Sequence, residues 1–573
     1  MWLQLAAAAS LALLPHARWS PAQQAARRDA DSARVNREAR DAQVDFELRR
    51  RRLLPIVPGG SRGRCDVRLG RFCYWHDDGE MKPPDEPVPI ATERRQLTER
   101  LDALARLAPS DGWIAGQRVR YLVEAGRHAD AVEVAADCAA EMWWCRALEG
   151  FALHAKGERA GADSAFDAAL GAMALDERCA WEEFSTLLPP RTASRYRKLP
   201  CAGRRALGDT IWWLAQPFWS VDGNDRRAEH YARHVMSRLE RDSRSPYQMR
   251  WGTDTHELLV RYGWPTAWSR DFGSLHDMTA GNVIGHEPHP SFDFIPDDSA
   301  LAAPAAAAPG GWRLRNPDAP SRYAPREARA FVSLDPQLVR FPRGDSLLLV
   351  AVSDVRGDTV LQKDGATGAL AISRGPGEAP AVAREAVVGG RLVVRLTTAN
   401  AAALASVELR DTVVREAGRA RLGFAPLESA DGRGTRMSDL LLYESPRGDD
   451  ASLDAVLPRA LGRMEIARGA RVGAYWELVR DTPAPDSVTY TLTVTPRETS
   501  WLRRAASRLR LATRPAPVHV RFTEPIGGDS VTARGLAFDL SRLSEGRYDV
   551  RLRAETARGE VASAERSVRI RRR

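Results

Sequence analysis

The sequence predicts a multidomain α+β protein: an N-terminal helical-repeat region, a small α/β module and two C-terminal antiparallel β-sandwich domains. Three observations predict it. Apolar residues recur with helical period from about residue 92. The stretch 201–298 changes character and becomes rich in Trp and His. Beyond an Ala/Pro/Gly linker at 299–312, short alternating segments are separated by Gly, Asp and Pro turns. A chain of 573 residues is also too long for one hydrophobic core.

The first residues, "MWLQLAAAASLALLPHARWSPAQ", read as a secretory signal peptide over 1–20. Gln4 to Leu14 is an uncharged apolar run, followed by a proline break and small residues, although no Lys or Arg precedes it. A buried N-terminal helix is the competing reading. No cysteine follows closely enough for a lipoprotein signal, and no later stretch reaches the length of a transmembrane helix. The expected location is therefore exported, in the periplasm, outside the cell or on the cell envelope.

Cysteine usage agrees with export. Cys65, Cys73, Cys138, Cys145, Cys179 and Cys201 are an even set confined to one region, as disulfides in an oxidising compartment require. Sequential pairing is the simplest connectivity. Seven residues of continuous helix span about 10 Å, beyond the roughly 7 Å a bridge tolerates, so Cys138 and Cys145 pair only if the chain turns between them. No CxxC pair points to zinc.

Net charge is +9, carried almost wholly by arginine; the lysines are Lys82, Lys156, Lys198 and Lys363. Acids are interspersed except at "RRRR" 49–52 and the terminal "RIRRR". Without a basic face tied to a reading motif, nucleic acid is not an expected partner.

Residues 21–91 form a charged, cysteine-containing segment ending in a Pro-rich linker. Its Arg-rich first part reads as a helix or a mobile spacer, and "GRCDVRLGRFCYW" as a Cys-bounded loop. Within 92–200, "RYLVEAGRHADAVEVAADC" and "GFALHAKGERAGADSAFDAAL" are similar at a spacing of 31 residues. Gly126 matches Gly157, Ala131 matches Ala162 and Ala135 matches Phe166. With Gly150 and Ala169 in place, this resembles the tetratricopeptide repeat, which implies paired helices crossing at small residues and a surface for a protein partner.

In 201–298, "LGDTIWWLAQPFWSVDGNDRRAEHYARHVMSRLE" is aromatic-rich, turns at Asp222-Gly223-Asn224 and continues as a helix. "THELLVRYG" alternates Leu258, Val260 and Tyr262 against Leu259 and Arg261, which predicts a half-buried strand ended by Gly263 and Pro265. His256 and Glu257 would then point to opposite faces. The order "PFW", Asn, "EHYARHV", a Trp-x-Thr-Asp element and "RYGWP" resembles the GWxTD domain of exported bacterial proteins. Trp251, Thr253 and Asp254 fill the named motif, while Arg250 stands where its Gly belongs. Trp219, Asn224, Trp251, Thr253, Asp254, Tyr262, Gly263 and Pro265 are thus expected to be framework. The resemblance covers about one hundred residues and implies no catalytic residue, as the family has no established activity.

Two chemistries remain open in this module. His230 and His234 lie at i, i+4 on the expected helix, a spacing that can hold one metal, and "HEPH" adds His286, Glu287 and His289. "EHYARH" is not HExxH, because no glutamate lies between its histidines. The competing reading is histidines that cap or hydrogen-bond within a Trp-rich domain. Trp212, Trp213, Trp219, Trp251, Trp264 and Trp268 would either stack on sugars or fill the core, and core packing is favoured. Neither GxSxG nor GxxxxGK[ST] occurs.

The C-terminal half divides into 313–450 and 451–573. "SLLLVAVSDV", "RLVVRLTTA", "ASVELRD" and "RARLGFAPL" are strands of the first sandwich. "VGAYWELVRD", "SVTYTLTVTP", "PVHVRFTE", "LAFDLSRL" and "RYDVRLRAET" belong to the second. The last resembles the near-terminal strand of immunoglobulin-like modules, without the Cys–Trp–Cys core. "RRAASRLRLA" at 503–512 reads as a short helix or a charged loop.

These readings predict a non-enzymatic binding or scaffold protein of the bacterial cell envelope with a protein partner and no required cofactor. The alternatives are a metal-assisted envelope hydrolase built on the 230–289 histidines, and carbohydrate binding through the Trp-rich module.

Overall fold

The computed structural model describes residues 21–57, 65–75, 82–271, 281–288, 291–307, 309–316, 318–325, 328–356, 361, 366–429, 434–445, 452–481, 485–497, 518–541, 543–559 and 561–571. The signal-peptide reading at 1–20, His289 and the 503–512 segment fall outside them.

The segment read as helix or spacer is a helix, α1 (Pro21–Leu53). Val35, Ala39, Ala42 and Phe46 recur at helical spacing and pack on Leu97 and Leu101 of α2 (Val88–Leu107), so burial orders an otherwise charged chain. Between these helices, strand β1 (Ile56–Val57) is followed by a hairpin of β2 (Val67–Leu69) and β3 (Phe72–Tyr74), closed by the Cys65–Cys73 disulfide. The Cys-bounded loop is therefore a small β-hairpin.

Two helical hairpins follow, α3 (Gly112–Glu124) with α4 (His128–Ala136), and α5 (Met142–Lys156) with α6 (Arg159–Ala172). Asp111 starts α3 by accepting from the backbone of Trp113 and Ile114. Both first helices end alike. Gly126 and Gly157 have φ of +72° and +92°, and the next residue's N–H returns to Leu122 and Leu153 respectively, each at 2.9 Å. The 31-residue offset is thus repeated in backbone geometry. At Gly150 a Cβ would lie 2.9 Å from the Phe166 ring, so the α5–α6 crossing needs a residue without one. Cys138 and Cys145 pair across the turn between α4 and α5, with Cα atoms 5.5 Å apart. The third disulfide, Cys179–Cys201, joins the end of α7 (Leu175–Trp181) to the start of α9 (Cys201–Ala215), with α8 (Pro190–Arg197) between them.

After the Gly223 turn, Asn224 caps α10 (Asp225–Arg241) through Arg227 N, 3.1 Å away. Helix α10 buries Tyr231, Val235, Met236 and Leu239 in one core with Trp144, Leu148, Phe151 and Phe166 of the hairpins. The middle stretch and the hairpins therefore share a single core, and the face the hairpins would offer a partner is filled by this chain's own helix.

The stretch expected as a strand, "THELLVRY", is helix α11 (Thr253–Tyr262). Thr255, Leu258, Leu259 and Tyr262 fit helical spacing as well as the alternating set fits a strand, and all four are buried. The start decides it: Gly252 N donates to Thr255 Oγ1 at 2.7 Å, and Asp254 lies in the first turn. His256 and Glu257 still diverge, now because neighbours on a helix do. A three-stranded sheet follows in which β4 (Ala267–Asp271) pairs with β1 in parallel and with β5 (Val283–His286) in antiparallel. Short helix α12 (Asp298–Ala302) leads to the β half.

That half is several sheets, antiparallel except at two edges. Strands β6 (Ala330–Ser333), β7 (Gln337–Arg343), β8 (Ser346–Asp354), β9 (Thr367–Ser373), β10 (Ala381–Ala386), β11 (Arg391–Ala399), β12 (Ala403–Asp411) and β13 (Glu416–Phe424) form sheets β10-β9-β12-β13-β6 and β11-β8-β7. Strand β8 is apolar almost throughout because both its faces are covered. Leu347, Leu349 and Ala351 face the first sandwich core, while Val350 and Val352 face Leu441, Tyr443 and Tyr475 of the next sheet. That sheet holds β14 (Thr435–Met437), β15 (Leu441–Glu444), β17 (Arg471–Arg480) and β20 (Val531–Asp539). Its strands β14 and β15 precede residue 450, so pairing crosses the boundary read at 450/451. Helix α13 (Leu453–Val456) and the sheet of β16 (Glu465–Ala467), β18 (Asp486–Pro496), β19 (Val518–Ile526), β21 (Gly546–Thr556) and β22 (Val561–Arg571) complete the fold.

The aromatic "PFW" segment locks the halves together. Trp219 N and Ser220 N donate to Glu408 at 2.8 and 3.0 Å, Arg419 and Arg421 donate to Gln216 O, and the Arg421 guanidinium lies 3.5 Å from the Trp219 ring centre. Trp213 stacks on Trp219 and donates to Ser373 Oγ.

Candidate functional site

A cavity of about 740 Å³ opens where α1, α2, the tip of the first hairpin, α10, the end of α11 and the start of the β half meet. Its aromatic wall is the "RYGWP" stretch. Tyr262 stacks on Tyr74 of β3, with ring centres 3.9 Å apart and planes 11° from parallel. Trp264 lines the cavity while packing on Phe151, and Trp268 lies under the Arg50 guanidinium. Gly263 adopts φ +98°, where a side chain is strained, and a Cβ there would press on the Arg233 guanidinium.

Arg233 organises this wall. It donates to Glu229 at 2.7 Å, to Val260 O at 3.0 Å and to Arg322 O at 2.8 Å, tying α10 to the end of α11 and to the approach to β6. Glu229 also meets His154 Nε2 at 2.6 Å. Burial pushes the Glu229 carboxyl up, but Arg233 and His154 outweigh it and hold the group well below the usual carboxylate range. His154 is disfavoured as a cation by burial, yet Asp225 and Glu229 raise it above an ordinary imidazole.

A second ionic group closes the other end. Arg50 contacts Glu124 and lies 3.4 Å from Glu47, and Arg94 contacts Glu86 with Glu124 at 3.8 Å. Behind them Arg120 bridges Glu124, Glu240 and Glu47 at 3.0, 3.5 and 3.8 Å. Burial raises Glu124, but Arg50, Arg120 and Arg94 bring it down to about 2. Glu240, where burial prevails over Arg120, is pushed up to about 7.

Glu287 differs from these acids. It follows β5 on the cavity wall, and burial pushes it up to about 7 against only its own backbone N–H and the already engaged Arg233.

The framework residues occupy distinct places. Trp219 and Asn224 serve the seam and the α10 cap. Trp251 is half-buried against the hairpin core. Thr253 opens α11, and Asp254 takes two bonds of 2.7 Å from the Arg71 guanidinium on the β2–β3 turn. The Trp-x-Thr-Asp element thus fastens the disulfide hairpin to α11, which brings Tyr74 against Tyr262. Tyr262, Gly263 and Pro265 line the cavity.

The candidate metal ligands separate into two places. His230 and His234 are buried within α10, ring centres 4.7 Å apart; His234 stacks on Trp181 and meets His256 of α11 at 5.5 Å. His286 contacts Ser269 Oγ at 2.9 Å in the small sheet. Among the described residues no three His, Cys, Asp or Glu side chains are placed to share an ion. Of the tryptophans offered for sugar stacking, Trp212, Trp219 and Trp264 are buried, and Trp213, Trp251 and Trp268 are half-buried against cores. The sequence reading missed Arg233, Glu229, His154 and Tyr74; its only local signal was the i, i+4 Glu229–Arg233 pair.

No protein-family model matches this chain, and no curated protein matches it. Solved structures give short, divergent likenesses. Red sea bream transglutaminase is 9% identical over 42% of this chain and 31% of its own, at a TM-score of 0.15. A putative membrane-anchored protein from Corynebacterium diphtheriae is 11% identical over 45% of this chain and 61% of its own, also at 0.15. The C-terminal domain of the Streptococcus pyogenes antigen I/II-family protein AspA is 9% identical over 41% of this chain and 99% of its own, at 0.14. The chain spans about a third of the transglutaminase, and none of these likenesses carries a functional argument.

Proposed function

We propose that this chain is a non-enzymatic, extracytoplasmic binding protein of the bacterial cell envelope, and that the central cavity is where it binds. The observation that carries the proposal is the cavity itself: about 740 Å³, within the range of ligand pockets, walled by aromatic rings and a few fixed charges drawn from the helical part, the middle stretch and the start of the β half. The three disulfides fit an oxidising compartment, and among the described residues no helix is long and apolar enough to cross a membrane.

Binding is favoured over hydrolysis by the placement of the hydroxyls. The Ser237–His256 and Ser269–His286 contacts pair a serine with an imidazole, but both serines are buried. Neither presents a nucleophile to substrate. A GWxTD-like module with tetratricopeptide-like hairpins is part of this reading, supported by the order of the motif residues and the repeated hairpin caps. With α10 in the inner face of the hairpins, a partner reaches the cavity or an outer surface.

The test is native mass spectrometry of the full exported chain after exposure to an envelope extract, beside an Ala324→Phe variant that fills the cavity from its β side. The proposal expects a bound species on the wild type that is lost in the variant. Equal recovery by both, or none by either, contradicts it.

A further inference from the structure

The cavity charges are not equally committed, and the exception indicates ligand chemistry. Arg50 is matched by Glu47 and Glu124, Arg94 by Glu86 and Glu124, and Arg233 by Glu229 and two carbonyls. Glu86, Glu124 and Glu229 are held in return. Glu287 alone among the lining acids has no side-chain ion pair with a described residue, although it is only half-buried beside a space walled by Tyr74, Tyr262 and Trp264. The groups whose charge reaches it or its neighbours are Arg233 on α10, Tyr74 on β3, Tyr247 after α10 and Arg322 before β6. His286 precedes it on β5, and Arg329 and Arg415 lie on the β side of the cavity. A carboxylate withdrawn from water gains most from a cation brought to it, and aromatic faces favour cations over anions.

We propose that the cavity binds an organic ammonium group, with Glu287 as the counter-charge and the Tyr74–Tyr262 stack as the aromatic wall. This rests on the reading of the cavity as the binding site. The chemistry is shared by a peptide N-terminus, a lysine side chain and a polyamine. Arg329 favours the first two sources, because a peptide carries a carboxylate to place against it while a polyamine brings only cations.

The site also has a built-in dependence on pH. Burial keeps the Glu287 proton on up to about pH 7, so an ammonium ligand must displace it below that value. Binding should weaken by about tenfold for each unit of acidification below pH 7.

The experiment is calorimetric titration of the full exported chain at pH 8 and pH 6 with tri-lysine, its N-acetylated form, tri-alanine, N-acetyl-tri-alanine and spermidine. Wild type, Glu287→Gln and Ala324→Phe are compared, with melting curves showing that each variant is folded. The expected result is saturable binding of free-amine peptides at pH 8, about tenfold weaker at pH 6, lost with Glu287→Gln and with Ala324→Phe. Retained binding by tri-lysine but not tri-alanine after N-acetylation assigns the lysine side chain as the source; tighter binding of spermidine than of either peptide assigns a polyamine. If N-acetyl-tri-alanine binds and only Ala324→Phe abolishes it, the ammonium assignment is overturned and the cavity reading stands. If Ala324→Phe changes nothing, both fall. If no amine binds, the ammonium assignment is overturned.

Discussion

The helical half and the β half are stabilised by different means. Around the cavity, Glu47, Arg50, Arg94, Arg120 and Glu240 are buried in one ionic network with Glu124, and Arg233 is buried against Glu229. Inside the second sandwich, Leu492, Val550, Leu552 and Trp476 are buried, stacked by the two-residue period of their strands. The β half does bury charge, but at its seams. Glu408, Arg419 and Arg421 face the helical part, and Arg340–Asp439 and Arg343–Glu477 join its two sandwiches. Apolar packing builds each sandwich, while charge fixes how parts meet and shapes the cavity. A site built from such pairs responds to protons and counter-ions, which the sandwich interior does not.

The strongest way to break this contrast is to remove one member of the buried network. Arg120→Met leaves Glu47, Glu124 and Glu240 under-compensated and should cost about 3–5 kcal/mol. Leu492→Ala in the sandwich core should cost about 2–5 kcal/mol through its cavity. Denaturant unfolding at pH 8 and pH 6 separates them: the Arg120 penalty should shrink at pH 6, where Glu240 takes up a proton, and the Leu492 penalty should not change.

Replacing Cys138 and Cys145 by serine reopens a loop of about eight residues and should destabilise the hairpins by about 2–3 kcal/mol in the loop-entropy account. Hydrogen exchange should locate the loss in α4 and α5 and leave the sandwiches unchanged.

Acid adds an effect of defined sign. Burial and His256 depress His234 to about 3, so its neutral form stabilises the fold above the ordinary imidazole value, and that contribution is lost as pH falls from about 6.5 toward 3. Glu240 acts in the opposite sense: raised to about 7, it contributes most below the ordinary carboxyl value and loses that contribution as pH rises through 7. His234→Gln isolates the first, and should flatten the acid slope by about 1.4 kcal/mol per pH unit between roughly 6 and 4. An unchanged slope would show that His234 does not remain neutral in the fold.

Smallest of all is Asp254→Asn, which weakens the exposed Arg71 clasp. Faster proteolysis within 65–75 is the expected readout, with global unfolding unchanged.

What could be read from the sequence follows the same division. Strands such as "RLVVRLTTA" and "RYDVRLRAET" are legible because a period of two and flanking turns are local signals. Sequential disulfide pairing is only the simplest of the connectivities open to the sequence, but the turn that a Cys138–Cys145 bridge needs follows from covalent reach. "THELLVRY" misleads because eight residues are short enough to satisfy both periods, and the deciding contact is the Gly252–Thr255 cap. The sandwich boundary at 450 is obscured because β14 and β15 pair with a strand beyond it. The cavity was the least legible feature: Arg50, Tyr74, Arg94, Glu124, Arg233, Glu287 and Arg415 meet only through tertiary packing, and no local pattern links them.

The most direct test of the central claim is hydrogen–deuterium exchange of the full chain with and without a saturating free-amine peptide at pH 8. The account predicts protection confined to segments around the cavity, residues 262–268, 281–288 and 318–329, with the strands beyond residue 450 unchanged. Protection on the outer surface of the hairpins or along the sandwiches, with those cavity segments unaffected, would contradict it.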